Sequence, residues 1–515
     1  MQHMIFSDPI KSNATRYAEE EAISFKDKRF TYQQFNNRIN QLSHALQSIG
    51  VEKGDKVAFM LLNCNQLFEI VYACSKIGAV FVPINSRFVS REIQHVLDDS
   101  ESRVLIFDSR FSNDIISIQD QVKTTDEFIS LGNASDAAAF EYEEWNSHFS
   151  VEEPTPSEAI DELDMISIMY TGGTTGRPKG AVRSHRSLYL VALLFSIEFA
   201  IGRNGKALAS GPLYGAAAFG IAIPNFYVGN PVHIVERFHP IEVLEAITNE
   251  KPTTTFLAPP MFEAIFSLPE EIRNKYDVSS LKSIISVGAP LHTSTKKKVL
   301  TYFDSADLNE FYGATELGGA ANLFPEKQSE KKRSVGVPML GMEVKLLDDE
   351  GNKVQPGEAG AFFVKGITLC DEYYKKPEAT AESFRGEWLG LGDIGVQDEE
   401  GFYYIVNREQ DMILSGAINV YPAEIEEVLH EHTNIADVAV IGVPDEKWGE
   451  VPIAIVVLRE GADINEEDIL EFCNGKLAKY KIPHSVDFVD ELPRSLQGKL
   501  LKYQLREKYI KNVTN

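Results

Sequence analysis

Apolar side chains at Phe35, Ile39, Leu42, Leu46 and Ile49 fall at steps of three and four along residues 30–50, which predicts one face of a helix. Thr31 and Gln34 stand at capping-box spacing in front of it, and Gly50 is its stop signal. A continuous apolar run at 56–62 predicts a buried strand, 66–78 a helix closed by Gly78, and 79–85 a second strand. The alternation repeats at 90–100 and 103–108. Successive strand–helix–strand units predict a parallel sheet covered on both faces. A polar, acidic stretch at about 131–163 interrupts the pattern, and further strands are expected at 164–170, 253–258, 283–288 and 308–312. From about 334 the texture changes to short alternating strands broken by Asp-Glu-Gly-Asn and Pro-Gly turns, a small antiparallel unit. Helix and strand then return at 422–432, 436–443, 451–458 and 466–478. The expected fold class is α/β. A large N-terminal domain over 1–409 holds two doubly wound sheets plus a small β unit, and a small α+β C-terminal domain follows over 410–515.

A chain of 515 residues is too long for one ordinary core, which agrees with several packed units. The formal net charge of −26 disfavours nucleic acid and anionic lipid as bulk partners, but permits a local basic pocket. Cys64, Cys74, Cys370 and Cys473 have no CxxC spacing, which fits neither a zinc site nor a disulfide framework and suits a reducing compartment. The first residues lack a basic region followed by an apolar stretch, so no signal peptide is expected. The most apolar stretch, 188–201, carries Glu198 and falls short of the roughly 20 residues of a membrane span. It is read as a buried helix, with no integral membrane segment and a cytoplasmic location expected.

The stretch YTGGTTGRPKG, 170–180, follows a predicted buried strand and precedes a helical pattern starting near Ser184. Gly172, Gly173 and Gly176 let backbone approach phosphate oxygens; Thr171, Thr174 and Thr175 offer hydroxyls, and Lys179 a point charge. At the end of a parallel strand, loop amides and a helix N-terminus would point together at such an anion. It is not a Walker A loop, because Lys179 stands three places after Gly176. A flexible strand-to-helix turn is the competing reading of the same residues.

Three further stretches suggest the same ligand. In EFYGATELGG (310–319), Tyr312 can lay a flat face on a purine, with Gly313 and Ala314 leaving room beside it. Thr315 offers a hydroxyl to a phosphate, and Glu316 a hard carboxylate to Mg²⁺. Asp393, in a Gly-Asp pair, can accept from both hydroxyls of a ribose, and Arg408, 15 positions on, can hold the same ribose or a phosphate. Lys499 sits in a Gly-Lys pair behind a Pro-Arg-Ser turn, where a loop could deliver its side chain. Taken singly, Tyr312 also suits a core, Asp393 a solvated turn and Lys499 a solvated surface.

Together these segments resemble, in order and separation, the adenylate-forming superfamily of acyl-CoA synthetases, peptide synthetase adenylation domains and firefly luciferases, nearest to the fatty acyl-CoA synthetases. The resemblance implies adenine stacking by Tyr312, α-phosphate contact by Thr315, and Mg²⁺ ligation by Glu316 with Thr175. It implies an adenine and acyl lining at Gly288, Ala289 and Pro290. It implies an acyl pocket at Tyr214, Phe219, Gly313 and Ala314, within a 211–226 stretch that has no Arg or Lys to hold a second carboxylate. Lys499 would bridge the substrate carboxylate and α-phosphate, Gln410 would be the hinge of a mobile C-terminal domain, and Ser415, Gly416 and Ala417 would flank the path of coenzyme A. The chain departs from the family pattern at Leu391 (usually Thr), Asn407 (usually Gly), Gln410 (usually charged) and Ala417 (usually Gly). The implied reaction is ATP-dependent: a carboxylic acid, with medium- or long-chain fatty acids expected first, becomes an acyl-adenylate and then an acyl-CoA. Aryl, branched and betaine carboxylates remain open, as do transfer to a carrier protein, a lapsed nucleotide-binding homologue, and a homodimeric assembly.

Overall fold

The computed structural model describes residues 4–513 apart from 134–135, 172–177, 409–410, 416–417, 446–447, 475, 478 and 495–499. The first large sheet has eight strands in the order Phe140–Glu141, Glu127–Leu131, Ser102–Asp108, Lys56–Met60, Val80–Pro83, Met165–Thr171, Lys179–Ser184 and Glu372–Tyr373. Its strands are parallel as far as Met165–Thr171 and antiparallel beyond. The second has nine strands, with a parallel centre formed by Glu21–Phe25, Val232–Ile234, Ala207–Ala209, Thr254–Phe256, Ser283–Ser286 and Asp307–Ala314. A third, antiparallel sheet holds Met342–Leu347, Ala359–Gly366, Trp388–Gln397 and Tyr403–Arg408. A fourth, built on Ile435–Asp445 and Gly449–Leu458, carries the last part of the chain. This is the expected α/β architecture with a small β unit.

The two large sheets share one core. Between them lies the helix Asn65–Ile77, all of whose residues are buried, packed on both Val80–Pro83 and Glu21–Phe25. A helix covered on every side must satisfy its polar groups internally. Glu69, at 0% exposure, accepts from Arg38 Nε (2.7 Å) and Nη2 (3.0 Å), Tyr142 OH (2.8 Å) and Asn65 Nδ2 (2.7 Å). The neighbouring helix Tyr32–Ser48 starts on the expected capping box, with Thr31 Oγ1 accepting from Gln34 N and Gln34 Oε1 from Thr31 N. Gly78 closes the buried helix in the left-handed conformation, φ 77°. The apolar stretch at 188–201 forms the helix His185–Glu198, but burial is one-sided. Leu188, Val191, Ala192, Leu194 and Phe195 face the core, whereas Leu193 and Ile197 are exposed.

The helix Pro422–His430 leans on residues from the preceding part of the chain. Glu427 accepts from Thr293 Oγ1 at 2.9 Å and lies 3.2 Å from His292 Nδ1 and 3.5 Å from Arg333 Nε. Arg333 Nη1 also donates to Ala423 O. The rings of His292 and His430 are 3.7 Å apart. Burial raises the Glu427 pKa, but His292, Arg333 and Thr293 outweigh it and hold the carboxyl down to about 2. Burial, then the neighbouring His292, lowers His430 to about 4, against the smaller pull of Asp437, Glu426 and Glu427.

Glu69→Ala removes the acceptor of Tyr142 OH and of Arg38 Nε, while Arg38 Nη2 keeps Glu143 at 2.9 Å, and is expected to cost about 1–3 kcal/mol, read as a lowered denaturation midpoint. An unfolded His430 takes up its proton near pH 6.5, whereas the folded one resists until about pH 4. The unfolded state binds more protons in that window, so stability falls as pH drops through it. Glu427 extends the loss below its ordinary range, down to about pH 2. Melting temperature measured against pH should show this decline, and His430→Gln should flatten it between pH 6.5 and 4.

Candidate active site

Three sheets converge on one short turn. Thr171 ends a strand of the first sheet, Tyr312 to Glu316 lead out of a strand of the second, and Asp393 lies on Trp388–Gln397 of the third. Glu316 is 7% exposed, and its Oε1 accepts from Thr171 Oγ1 at 3.2 Å and from Tyr373 OH at 3.0 Å. Its own carbonyl accepts from Cys370 N at 2.7 Å. Burial and the facing Glu316 push the Tyr373 phenol well up, so it stays a donor. Lys179 Nζ stands 5.2 Å from the Tyr373 ring centroid, within cation–π range. Lys179, the Thr171 hydroxyl and the Glu316 carboxylate thus gather around one tyrosine.

Local backbone makes the turn possible. The ladder between Asp307–Ala314 and Gly318–Leu323 shifts register between Tyr312 and Gly313. A Cβ on Gly313 would collide with the Gly318 carbonyl, so only glycine fits there. Gly318 has φ 69° and faces Thr368. Tyr312 OH donates to Asp393 Oδ2, and its ring meets Phe362 edge-on at 5.0 Å. Asp393 is 5% exposed and pairs across the ladder with the backbone of Arg408, whose side chain lies outside the described residues. Leu391 packs on the core from a half-buried position. Gly288 has φ 102° and opens onto free space on the side where a Cβ would stand, and Ala289 and Pro290 follow on the same turn.

The expectation of a strand-to-helix phosphate loop needs correction. Residues 179–184 form a second strand, antiparallel to Met165–Thr171 with Thr171 opposite Lys179, and the helix His185–Glu198 starts only afterwards, with Ser184 as its N-cap. The loop therefore joins a hairpin, and no helix dipole points into it from this segment. Among the described residues of this segment, Thr171 and Lys179 are the polar groups beside the Glu316 turn. Gly172, Gly173, Thr174, Thr175, Gly176, Gln410, Gly416, Ala417 and Lys499 lie outside the described residues. Ser415, buried at 8%, ends the strand Ile413–Ser415. Tyr214 is half-buried, and Phe219 is fully engaged in an aromatic cluster, stacked on Phe68 at 5.9 Å and near Phe81 at 5.8 Å.

Two residues of the site carry no motif that sequence reading could pick out. Tyr373 stands beside Tyr374 with nothing to distinguish it, and its partner lies 57 positions away. Arg183 is 3% exposed and donates from Nε and Nη2 to the Thr315 carbonyl at 3.2 and 2.5 Å. A cation inside an otherwise apolar strand pattern was the one available signal.

A buried carboxylate held by hydroxyl donors, with a lysine beside it, where three sheets meet is an arrangement that could receive an anionic ligand together with a cation. The chain belongs to the AMP-binding enzyme family, the adenylate-forming enzymes its motifs resemble: the family model matches residues 10–374, and the model of the family's C-terminal domain matches 424–499. It is 34% identical over 482 residues to a feruloyl-CoA synthase of an Amycolatopsis species, covering 93% of this chain and 94% of the relative. It is 34% identical over 495 residues to the long-chain-fatty-acid–CoA ligase FadD13 of Mycobacterium tuberculosis, covering 95% and 94%. The structure of the anthranilate CoA ligase AuaEII in complex with anthranoyl-AMP superposes with a TM-score of 0.92 at 27% identity, covering 100% of this chain and 98% of the other. No helix among the described residues is long and apolar enough to cross a membrane.

Tyr373→Phe keeps the ring under Lys179 and removes one donor from Glu316. The expected result is a roughly tenfold lower turnover with a raised Mg²⁺ requirement and little change in melting temperature, measured by ATP–pyrophosphate exchange over a Mg²⁺ series.

Proposed function

We propose that the chain is an AMP-forming acyl-CoA synthetase that activates a carboxylic acid with an apolar body, a medium- or long-chain fatty acid first among them. The gathering of Thr171, Glu316, Tyr373 and Lys179 around one turn carries the reading, because it supplies what a phosphate chain needs where it must be cleaved. A carboxylate is a poor acyl donor, since its leaving group would be oxide. When its oxygen attacks the α-phosphorus of ATP, a mixed anhydride forms and pyrophosphate leaves. Anion meets anion in that step, so preorganised donors aimed at the developing charge supply most of the acceleration. Thr315 would contact the α-phosphate, Tyr312 would stack on adenine, Asp393 and Arg408 would hold the ribose, and Lys499 would bridge the two reacting anions.

The Glu316 site suits Mg²⁺. The Thr171 and Tyr373 hydroxyls both donate to Oε1, so Oε2 has no side-chain donor among the described residues. Mg²⁺ is commonly held by one or two carboxylates plus substrate phosphates, and supplies charge neutralisation there.

Thioester formation would need a second arrangement, with residues 410–515 turning about Gln410 so that the segment Ser415–Ala417 replaces Lys499 beside the acyl-adenylate. The stretch 211–226 has no basic residue to hold a second carboxylate, which favours a monocarboxylate. A second reading, an aryl carboxylate, is favoured by the feruloyl and anthranilate relatives.

ATP–pyrophosphate exchange with fatty, aryl and dicarboxylic acids, followed by coenzyme A consumption, tests both. Exchange is expected with an apolar monocarboxylate and not with malonate; coenzyme A consumption separates thioester formation from loading of a carrier protein. Lys499→Ala should lower exchange by about 10²–10³ while leaving thioester formation from supplied acyl-adenylate largely intact.

A further inference from the structure

We propose that Arg183 is a positioning residue for adenylation, which fixes the Thr315–Glu316 peptide and the segment leading to Tyr373 as one unit. The proposal rests on the adenylation reading above and assigns a task to a residue that touches no expected substrate atom.

Arg183 lies on the strand Lys179–Ser184, the second arm of the phosphate hairpin. Its guanidinium reaches in two directions. Nε and Nη2 donate to the Thr315 carbonyl at 3.2 and 2.5 Å, and Nη1 donates to the Thr368 carbonyl at 2.5 Å and to Ser187 Oγ at 2.9 Å. Ser187 Oγ in turn donates to the Leu369 carbonyl at 3.2 Å. Among the described residues, no carboxylate lies within ion-pair distance of it: its partners are two carbonyls and a hydroxyl. Burial draws its pKa down from the usual arginine range. Such a cation is a poor stability device, because an apolar side chain of similar volume is often as stable or better. What the planar fork supplies is geometry, several donors held at fixed angles to acceptors on separate segments.

Those acceptors matter for the site. The Thr315 carbonyl belongs to the peptide unit that also carries the Glu316 N–H, and that unit is planar. Holding its oxygen from two nitrogens fixes the plane, and with it the directions in which the Thr315 and Glu316 side chains leave the backbone. Thr368 and Leu369 begin the segment that continues through Cys370, whose N–H donates to the Glu316 carbonyl at 2.7 Å, to Tyr373, whose hydroxyl donates to the Glu316 carboxylate. One side chain therefore ties the arm bearing Lys179 to the turn bearing Thr315 and Glu316 and to the strand bearing Tyr373.

The test compares wild type, Arg183→Met and Arg183→Lys in ATP–pyrophosphate exchange, with active-site titration, a Mg²⁺ series and melting temperature. Methionine fills the space without the fork; lysine keeps the charge but reaches one carbonyl at a time. Misplacing reacting groups by about an ångström costs on the order of 100-fold. Arg183→Met is accordingly expected to lose about 10–100-fold in kcat per titrated site, to need several-fold more Mg²⁺, and to keep its KM for the carboxylate. Arg183→Lys should fall between the two. Wild-type kcat and Mg²⁺ dependence in Arg183→Met, or a loss accounted for by a lower titrated fraction and lower melting temperature alone, overturns the proposal. Should Arg183→Met be insoluble, Arg183→Lys decides by the same criteria. A wild-type chain that exchanges with no carboxylate sinks the adenylation reading; a wild type that exchanges while the variants match it sinks only the role of Arg183.

Discussion

Thr171 and Tyr373 both donate to Glu316 Oε1, at 3.2 and 3.0 Å, and in doing so they tie the first large sheet to the turn that leaves the second. A buried carboxylate without donors is costly enough that it would neutralise or drag water in. Here the donors come from the chain itself, so the carboxylate has a reason to stay in place before any ligand arrives. Everything else in the candidate site is arranged around that carboxylate: Lys179 over the tyrosine that holds it, Tyr312 on the strand before it with Asp393 as its partner, and Arg183 on the carbonyl in front of it.

The constraint reaches back into the fold. Sheets held apart by a helix buried on every face are rigid because the helix cannot tilt without uncovering Glu69 and Lys76, each of which is held by several partners. Rigid sheets place Thr171 and Glu316 at hydrogen-bond distance although 145 positions separate them. Gly313 then lets the strand ladder bulge at the point where the chain must turn toward the first sheet. Packing, backbone freedom and polar satisfaction therefore serve one location.

The period of apolar residues made the parallel sheets, the capped helix at Tyr32–Ser48 and the small antiparallel unit legible, because each buries a face whose spacing is written in consecutive residues. Tyr312, Thr315, Glu316 and Asp393 were legible from motifs. The hairpin at 165–184 was not: Lys179–Ser184 is too short for its alternation to outvote the helical pattern after it, and its pairing partner lies across a glycine loop. Phe219 could equally have lined a pocket or filled a core, since an aromatic next to small residues suits both, and only the positions of Phe68 and Phe81 decide what its ring touches. Tyr373 and Arg183 hydrogen-bond to partners 57 and 132 positions away, a distance at which no periodicity speaks.

The net charge of −26 sharpens the problem the site must solve. ATP, a carboxylate and coenzyme A are all anions, and the protein's long-range field opposes their approach. That field is screened within about 8–10 Å at physiological salt, so affinity has to come from contacts made inside that range. Groups held in place by the fold suit the need: cations whose positions are set by an aromatic face and by carbonyls and not by mobile surface carboxylates. A cation fixed by carbonyls retains its attraction for an anion, whereas one paired with a carboxylate has already given most of it away. Arg183, hydrogen-bonded to carbonyls and a hydroxyl, and Lys179, over an aromatic ring, are cations held without a direct carboxylate hydrogen bond at the turn where three sheets meet.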